Sequence, residues 1–429
     1  MQPQPYEQPG RLRIAMLARV VFPLHGFGGI ERHVFHLTTH LARLGVRVTL
    51  FAQHPTAQAA TLITPAIADE IRAGGGALDL RLLRYDRTSP VLRPNSILGR
   101  QINYPWYSWQ LGRAAAQGVH QGQFDLVHAQ GLCAFGYALL RERDRALRQV
   151  PFIANPHGLE EYRTPDWRKW LAYAPFRVLY SYGTRAADRA IATDACTQDD
   201  LPHYLRVAPT NVVVIPSAID VAECLAPLNP AIRQELRQRF RLDATNLTLL
   251  SVSRLERNKG YHVLAEALAQ LGPRLPTNWR WLLVGQGKER PALEQQVRDL
   301  GIAEHVTFVG RLDDSELHNL YEEVDLFVHP TLYEGSSLVT LEAMIHRRPV
   351  VASAAGGIPD KVFDDRNGYL VQPGDAAALA NAIAKALDRR ASWPAWGEQS
   401  VQIVRETFDW PVVARRTRET YLAMLAERV

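Results

Sequence analysis

The sequence is poor in cysteine and contains no long apolar run. Its 429 residues include three cysteines, Cys133, Cys196 and Cys224, and none belongs to a Cys-x-x-Cys pair. This pattern argues against a disulfide framework or a zinc site and predicts a reducing compartment. No stretch approaches the ~18 apolar residues of a membrane-spanning helix, and the polar start lacks the apolar core of a signal peptide. We expect a cytoplasmic protein, either free or held peripherally at the inner face of the membrane.

Two ligand-binding motifs are also missing. The loop after the first predicted strand contains Gly26, Gly28 and Gly29 but no G-x-G-x-x-G, so the dinucleotide fingerprint is absent. No Asp-x-Asp pattern is present, and adjacent aspartates such as Asp313-Asp314 suit helix caps or solvated loops. The net charge of +5 suits anionic ligands or an anionic membrane but is too small to indicate nucleic-acid binding. We predict neither a bound metal nor a nucleic-acid partner.

The chain alternates short apolar runs with amphipathic segments, which predicts an α/β protein with parallel sheets. Its length favours two domains. We predict an N-terminal domain over 1–220, a C-terminal domain over 221–410, a linker over Pro216–Pro230 and a last helix over 411–429. The predicted strands are Ile14–Ala18, Val46–Ala52, Leu78–Tyr85, Phe124–Ala129, Phe152–Asn155, Ala190–Asp194 and Asn211–Ile215, then Leu247–Ser253, Trp281–Val284, Val306–Val309, Asp325–His329, Val350–Ala352 and Tyr369–Val371.

The most informative stretch is TLYEGSSLVTLEAMIH, residues 331–346. It follows a predicted buried strand, and Ser336 and Ser337 suit the N-cap of a helix. A helix start offers unpaired N–H groups and can hold a phosphate. Glu334 precedes this start, and Glu342 lies about 7–8 Å inside the helix. Because carboxylates accept hydrogen bonds from sugar hydroxyls, a nucleotide-sugar would fit, with Glu334 at the hexose and Glu342 at the ribose. Considered alone, the two residues would be interpreted as surface glutamates beside a helix start, and the rest of the chain favours the ligand site.

Basic residues follow other predicted strands at the same sheet edge. In SVSRLERNKG, residues 251–260, Arg254 leaves the strand and Lys259 precedes the next helix. We expect the Lys259 side chain to be exposed, and the two cations together could bind a diphosphate. The alternative is a pair of solvated cations. Gly310 and Arg311 end a further strand, where a nucleobase could lie against the backbone.

Two features of the first predicted domain suggest ligand or membrane contacts. His157, in Pro156-His157-Gly158, ends a predicted strand at the edge that faces a ligand crevice in open sheets. A hydrogen-bonded structural histidine is the alternative. Residues 166–189 mix aromatic and basic side chains and should be helical, with a break at Pro175. They fit either a core-facing helix pair with a solvated basic side, or contact with an anionic membrane or a lipid-linked acceptor.

Taken together, these segments resemble the retaining glycosyltransferases of family 4, which have the GT-B fold. The resemblance covers nearly the whole chain and is most specific from 247 to 375. It implies an α/β protein with two Rossmann-like, doubly wound domains facing a cleft, with the last helix crossing back to the first domain. The matching motifs are GGIERHV at 28–34, PHG at 156–158, SVSRLERNKG at 251–260, FVGRLDDSEL at 308–317, EGSSLVTLEAM at 334–344 and PVVASAAGGIPDKV at 349–362.

The resemblance implies transfer of a hexose from a UDP- or GDP-linked donor to a hydroxyl acceptor, with no cofactor and no metal. The acceptor would belong to a polysaccharide, a glycolipid or a small glycoside, and a lipid-linked acceptor would be compatible. Ser336 and Ser337 stand where many members have Phe-Gly, so the sugar stays open. The implied catalytic residues are His157, Arg254, Lys259 and Glu334, and the implied donor contacts are Gly28, Gly29, Gly310, Arg311, Gly335, Ser336, Ser337, Leu338, Val339 and Glu342.

Two other functions are compatible with the same fold. A GT-B nucleotide-sugar epimerase would need an acid–base set around the hexose, which the sequence does not display. A nucleotide-sugar-binding protein without catalysis is disfavoured by the intact set Arg254, Lys259, Glu334 and Glu342.

Overall fold

The computed structural model describes residues 8, 10–26, 28–55, 61–85, 97–159, 162, 167–242 and 247–428. The chain forms two compact units, which we call the N-terminal unit (Met1–Ser217 with Trp410–Val429) and the C-terminal unit (Ala218–Asp409). The described part of the chain contains one seven-stranded and one six-stranded sheet.

The N-terminal unit alternates strands and helices. Its strands are β1 (Arg13–Leu17), β2 (Arg47–Gln53), β3 (Ala77–Leu83), β4 (Leu126–Gln130), β5 (Phe152–Asn155), β6 (Arg189–Ala192) and β7 (Val212–Val214). Its helices before residue 217 are α1 (Gly29–Arg43), α2 (Pro65–Ala73), α3 (Ile97–His120), α4 (Ala134–Arg141), α5 (Arg145–Gln149), α6 (Trp167–Ala172), α7 (Ala174–Arg185) and α8 (Ala195–Leu205).

The C-terminal unit repeats this alternation. Its strands are β8 (Thr248–Val252), β9 (Arg280–Val284), β10 (Val306–Gly310), β11 (Leu326–His329), β12 (Val350–Ser353) and β13 (Gly368–Val371). Its helices are α9 (Val221–Leu225), α10 (Pro230–Phe240), α11 (Tyr261–Leu271), α12 (Arg290–Asp299), α13 (Asp314–Tyr321), α14 (Leu338–Ile345), α15 (Ala376–Asp388) and α16 (Trp393–Thr407). The last helix, α17 (Trp410–Ala426), belongs to the N-terminal unit.

Both sheets are parallel and doubly wound. Their orders are β3-β2-β1-β4-β5-β6-β7 and β10-β9-β8-β11-β12-β13. The chain winds outward from β1 or β8 and then returns to the other side of that strand, so a switch point lies between β1 and β4 and another between β8 and β11. Ligands of open α/β sheets bind outside the carboxyl ends of the strands at such points. The prediction of two Rossmann-like sheets is confirmed, and every predicted strand is found with its ends within two residues.

The central strands of the C-terminal sheet, β8, β9, β11 and β12, bury both of their faces. Side chains alternate along a strand, so Leu249 enters one apolar cluster and Leu250 enters the other on the opposite face. Helices α11 and α15 cover the first cluster, α13 and α14 cover the second, and α16 contributes to both. Burying one such leucine stabilises the fold by about 1.5–3 kcal/mol. The clusters therefore hold the strand ends, and the loops that follow them, in fixed positions.

Much of the predicted linker 216–230 is part of the C-terminal unit. It contains α9, and Ile219, Val221 and Cys224 are buried in the C-terminal core.

The predicted break at Pro175 is confirmed. Helix α6 ends at Ala172, and Pro175 lies in the first turn of α7, where its missing N–H removes no helical bond. Asp166 lies outside the described residues. Among the described helices, none is long and apolar enough to cross a membrane.

Candidate active site

Two loops meet at the carboxyl ends of β8 and β11, the switch point of the C-terminal sheet. Asn258 O accepts hydrogen bonds from Leu332 N at 2.8 Å and from Thr331 Oγ1 at 3.2 Å. Gly260 has φ 70°, and a Cβ there would lie 1.9 Å from Pro330 O, so this approach requires glycine. The backbone thereby places the end of the first loop against the start of the second.

This approach brings Lys259, His329 and Glu334 together as an ionic cluster. Glu334 Oε2 accepts hydrogen bonds from Lys259 Nζ at 2.8 Å and from His329 Nε2 at 2.9 Å. The Lys259 and Glu334 side chains are only 12% and 15% exposed, and His329 is fully buried. The expectation that Lys259 would be exposed is therefore wrong, because its partner carboxylate comes from a loop 75 residues away.

The cluster keeps Glu334 ionised. Burial alone would raise the pKa of this carboxyl group, but the hydrogen bond and charge of His329 and the charge of Lys259 outweigh burial and lower the pKa to about 2. Glu334 is therefore a carboxylate throughout the physiological range and can only accept hydrogen bonds.

Part of the cluster's bonding capacity remains for a ligand. Glu334 Oε1 accepts the Gly335 N–H at 3.3 Å, and a Cβ added to Gly335 would meet no atom within 4 Å. Lys259 has three N–H donors, of which its bond to Glu334 uses one. The cluster can therefore bind a hydroxyl group through Oε1 and an anionic oxygen through Nζ.

Helix α14 begins directly after this loop, and its first turn has no side-chain cap. Ser337 occupies the N-cap position with φ 42° and ψ 80°, and its Oγ bonds Thr340 Oγ1 at 2.8 Å instead of a backbone N–H. Ser337 therefore occupies the predicted N-cap position, but its hydroxyl does not bond the backbone of the helix. The N–H groups at the helix start, including those of Leu338 and Val339, suit an anion. Left-handed backbone at a non-glycine residue is strained, and such strain concentrates at functional sites.

Glu342 lies on the same helix, about 6 Å along the axis from Leu338. Its Oε2 accepts a hydrogen bond from Tyr321 OH at 3.2 Å, and Tyr321 is fully buried. Burial, followed by the charge of Glu342, raises the pKa of Tyr321, so the phenol stays neutral and continues to donate. The tyrosine thus orients the Glu342 carboxylate.

Arg254 and Arg311 lie at the surface of this unit, whereas Gly310 is buried. Arg254 is 72% exposed and pairs with Glu256 at 2.8 Å, and it makes no contact with Lys259 or Glu334 in the described part of the chain. Gly310, with φ 82°, ends β10 and a Cβ there would meet nothing within 4 Å, and the neighbouring Arg311 is exposed.

His157 follows β5 in the N-terminal unit and has a left-handed backbone with φ 60°. Its N–H donates to Asn155 Oδ1 at 3.0 Å, and its ring packs edge-on against His33 at 4.8 Å between centroids. Burial lowers the pKa of His157 to about 4, so the imidazole is neutral at pH 7. Its Nε2 is buried and has no hydrogen-bond partner among the described residues, which is typical of a ligand contact.

Gly28 and Gly29 lie at the start of α1 in the same unit. Gly28 is the N-cap residue and provides no side-chain cap, and a Cβ there would lie 2.3 Å from Glu31 Oε2. The Glu31 carboxylate therefore lies at this helix start, which differs in this respect from the start of α14. Phe27, between the glycines of this loop, lies outside the described residues.

Sequence reasoning missed two residues near Glu334. His329 ends a predicted strand, and a histidine at a carboxyl strand end is the same signal that drew attention to His157. Lys361 is fully buried and donates to Gly357 O at 2.8 Å and to both oxygens of Ser336. Its motif, GGIPDK, gave no indication that a lysine would be enclosed.

A doubly wound domain with a carboxylate, fixed cations and an uncapped helix start at its switch point belongs to the proteins that bind phosphorylated ligands rich in hydroxyl groups. Comparison with known families agrees. The family described as glycosyl transferases group 1 matches residues 232–402, and the family described as glycosyltransferase family 4 matches residues 27–223.

Individual relatives match over nearly the whole chain. Glycogen synthase from Mycobacterium tuberculosis is 28% identical over 407 residues, covering 94% of this chain and 92% of that protein. D-inositol 3-phosphate glycosyltransferase 2 from Catenulispora acidiphila is 27% identical over 425 residues, covering 95% and 94%. The structure of sucrose-phosphate synthase from Thermosynechococcus elongatus is similar with a TM-score of 0.74 at 23% identity, covering 97% of this chain and all of that one.

The chain therefore belongs to the family 4 glycosyltransferases and has the GT-B fold. Its function is the transfer of a sugar from a nucleotide-sugar donor to an acceptor. The family and the class of reaction predicted from the sequence are confirmed.

Proposed function

We propose that the protein is a retaining, metal-independent hexosyltransferase that uses a UDP- or GDP-linked donor and a hydroxyl acceptor. The observation that carries this proposal is the cluster of Lys259, His329 and Glu334 beside the uncapped start of α14. It combines a fixed cation for phosphate with an ionised carboxylate for sugar hydroxyls.

The diphosphate would bind between Lys259 and the first N–H groups of α14. Lys259 has two N–H donors to spare, and the helix start adds partial positive charge. Arg254 is held only by an exposed ion pair with Glu256, which is worth little. We propose that Arg254 exchanges this partner for the diphosphate, so that fixed cations replace a metal ion.

The hexose would lie at Glu334 Oε1 and in the open space above Gly335. The neutral imidazole of His157 is a further proposed sugar contact, because its Nε2 lacks a partner. Glu342, oriented by Tyr321, would accept hydrogen bonds from the ribose. Gly28, Gly29, Gly310 and Arg311 remain proposed donor contacts, supported by the family resemblance.

In the proposed reaction the bond between the hexose C1 and the phosphate oxygen breaks first, giving an oxocarbenium-like state. The acceptor hydroxyl then forms a bond to C1 from the face that the leaving group occupied, and its proton passes to the departing phosphate oxygen. The products are the glycoside, with retained configuration, and the nucleoside diphosphate. Lys259 and the helix N–H groups stabilise the charge that develops on the leaving group.

Two measurements test this proposal. A thermal-shift screen of UDP-, GDP- and ADP-sugars should give one preferred nucleotide. Incubation with that labelled donor, with and without candidate acceptors, then separates three outcomes: transfer gives a labelled glycoside of unchanged anomeric configuration, epimerisation gives an altered nucleotide-sugar, and pure binding gives neither. An inverted product would contradict the retaining mechanism.

We further propose that helices α6 and α7 contact an anionic membrane surface, which would suit a lipid-linked acceptor. The segment from Trp167 to Arg185 contains four basic residues and no acidic one. Arg177 lies 4.0 Å from the ring centroid of Trp170, so a cation and an aromatic ring share one surface. Large apolar side chains are exposed here, namely Trp167 (69%), Trp170 (47%), Leu171 (60%) and Val178 (67%).

Vesicle binding tests this surface. The protein should sediment with phosphatidylglycerol vesicles at low salt and only weakly with phosphatidylcholine vesicles. Sedimentation with phosphatidylglycerol vesicles should decrease at high salt, because exposed charges are screened over about 10 Å at 0.1 M. Replacing Trp167 and Trp170 by alanine should abolish binding, whereas replacing Leu228, an exposed apolar residue of the C-terminal unit, should not. Equal binding by both variants would leave α6 and α7 as a core-facing helix pair only.

A further inference from the structure

Lys361 is enclosed directly beside the segment that leads into α14. Its side chain is fully buried, and Nζ donates hydrogen bonds to Ser336 O at 2.5 Å, Gly357 O at 2.8 Å and Ser336 Oγ at 3.3 Å. Enclosing an ammonium group costs several kcal/mol unless hydrogen bonds and the local field compensate. An apolar side chain could not donate these three bonds, so the lysine has a specific role at this segment.

The turn that carries Lys361 contacts three consecutive peptide groups of the loop before α14, those of Glu334, Gly335 and Ser336. Gly356, with φ 54°, lies so close that a Cβ would be 2.1 Å from Glu334 O. Gly357 N donates to Gly335 O at 2.8 Å, and Lys361 completes the series at Ser336 O. The turn thus determines where the Glu334 carboxylate lies and how the chain enters the first turn of α14.

Hydrogen-bond chemistry also determines the role of the Ser336 hydroxyl. An ammonium group can only donate, so Ser336 Oγ accepts from Lys361 and keeps its own hydrogen for another partner. The other two oxygens that accept from Lys361 are the backbone carbonyls of Ser336 and Gly357, so the same ammonium also fixes the peptide group that leads into α14.

We propose that Lys361 is a positioning residue of the donor site. It holds the segment Glu334–Ser337, and with it the first N–H groups of α14, in place, and it makes the Ser336 hydroxyl a hydrogen-bond donor to the hexose. The inference rests on the proposed function, because it assigns Lys361 to the site of a nucleotide-sugar donor.

Calorimetry on the full chain tests this role. Lys361→Met keeps the length of the side chain and removes the ammonium, and Lys385→Met, at an exposed position of α15, is the matched control. Each protein is titrated with the nucleoside diphosphate of the preferred donor and with the corresponding nucleoside. We expect Lys361→Met to weaken nucleoside diphosphate binding about 10–100-fold, a loss in the range of one to two charge-assisted contacts, with nucleoside binding within about twofold of wild type.

A merely structural role would give a different result. The unfolding midpoint and the active fraction of Lys361→Met would fall, but the dissociation constant of the folded protein for the nucleoside diphosphate would equal that of Lys385→Met. That result would overturn the inference.

A second variant keeps the inference testable if Lys361→Met does not fold. Ser336→Ala removes the hydroxyl and preserves the bond from Lys361 to Ser336 O. We expect an unchanged unfolding midpoint and unchanged nucleoside diphosphate affinity, with kcat/KM for the nucleotide-sugar lowered about 10-fold, as for one lost hydrogen bond. Wild-type kcat/KM in Ser336→Ala would overturn the role of the hydroxyl. A wild-type protein that transfers no sugar contradicts the proposed function instead, so the two failures are distinguishable.

Discussion

Replacing Lys259 by methionine should destabilise the protein even when no donor is present. Methionine matches the length of the lysine side chain but leaves Glu334 with His329 as its remaining ionic partner. Breaking a buried ion pair by removing one partner costs about 3–5 kcal/mol. Because Lys259 and Glu334 keep 12% and 15% exposure and the His329 bond persists, we expect a loss at or just below the lower end of this range, about 2–3 kcal/mol.

Urea denaturation followed by tryptophan fluorescence measures this loss, with Lys385→Met as the exposed control. The double variant Lys259→Met/Glu334→Gln should be more stable than the sum of the single effects predicts, because a neutral amide no longer requires a cation. The coupling should be about 1–3 kcal/mol for residues in direct contact. Additive effects, or a Lys259→Met protein as stable as Lys385→Met, would refute the ionic cluster.

The same variant separates stability from catalysis. At temperatures where it is fully folded, kcat should still fall about 10²–10³-fold, as for the loss of one preorganised donor to developing charge. A loss below fivefold in the folded protein would mean that Lys259 serves the fold and not the leaving group.

Three further predictions concern the two glutamates, metal and pH. Glu334→Gln should lower kcat about tenfold or more without weakening nucleoside diphosphate binding, because the substitution frees Lys259 from its carboxylate. Glu342→Gln should weaken nucleoside diphosphate binding in calorimetry. A larger loss of this binding in Glu334→Gln than in Glu342→Gln would contradict their assignment to hexose and ribose. Transfer should survive excess EDTA, and loss of activity restored by Mg²⁺ or Mn²⁺ would contradict fixed cations. Burial lowers the pKa of His128 to about 3 and that of His157 to about 4, so between pH 6.5 and 4 the unfolded chain binds more protons than the folded one. Stability should therefore be intact above pH 6.5 and fall by up to about 1.4 kcal/mol per pH unit for each histidine as pH drops, and His128→Asn should flatten the slope of urea midpoints between pH 7 and 5.

The sheets could be predicted because their signal is local. A strand buried on both faces is a short apolar run, and such runs in alternation with helices leave little choice but a parallel sheet. The positions of Glu334 and Glu342 relative to a helix start follow from the same local reasoning. The same reasoning predicts that the carboxyl edge of the sheet faces the ligand.

The predictions that the structure contradicts concern features that depend on contacts between segments distant in the sequence. Lys259 is buried because it pairs with Glu334 and because Gly260 approaches Pro330 O closely. The residues next to Lys259 in the sequence predict neither contact. The left-handed backbone of Ser337 also could not be predicted from the sequence, because serine normally avoids this conformation. Arg254 and Lys259 look equivalent in sequence, yet one is exposed and the other enclosed.

The pairing of Lys259 with Glu334 limits what that lysine can contribute to donor binding. Its charge is balanced by a carboxylate 2.8 Å away, so the pair as a whole offers a diphosphate no net positive charge. In the proposed function, attraction for the diphosphate would then come from the start of α14, which Lys361 positions, and from Arg254 once it leaves Glu256. Development of negative charge on the leaving group changes this balance, because the ammonium of Lys259 can respond to that charge while Glu334 remains held by His329. Lys259 should therefore act more on turnover than on affinity, and Lys361 more on affinity than on turnover. A Lys361→Met variant that loses turnover while keeping its nucleoside diphosphate affinity would reverse this division and show that the two lysines act as one unit.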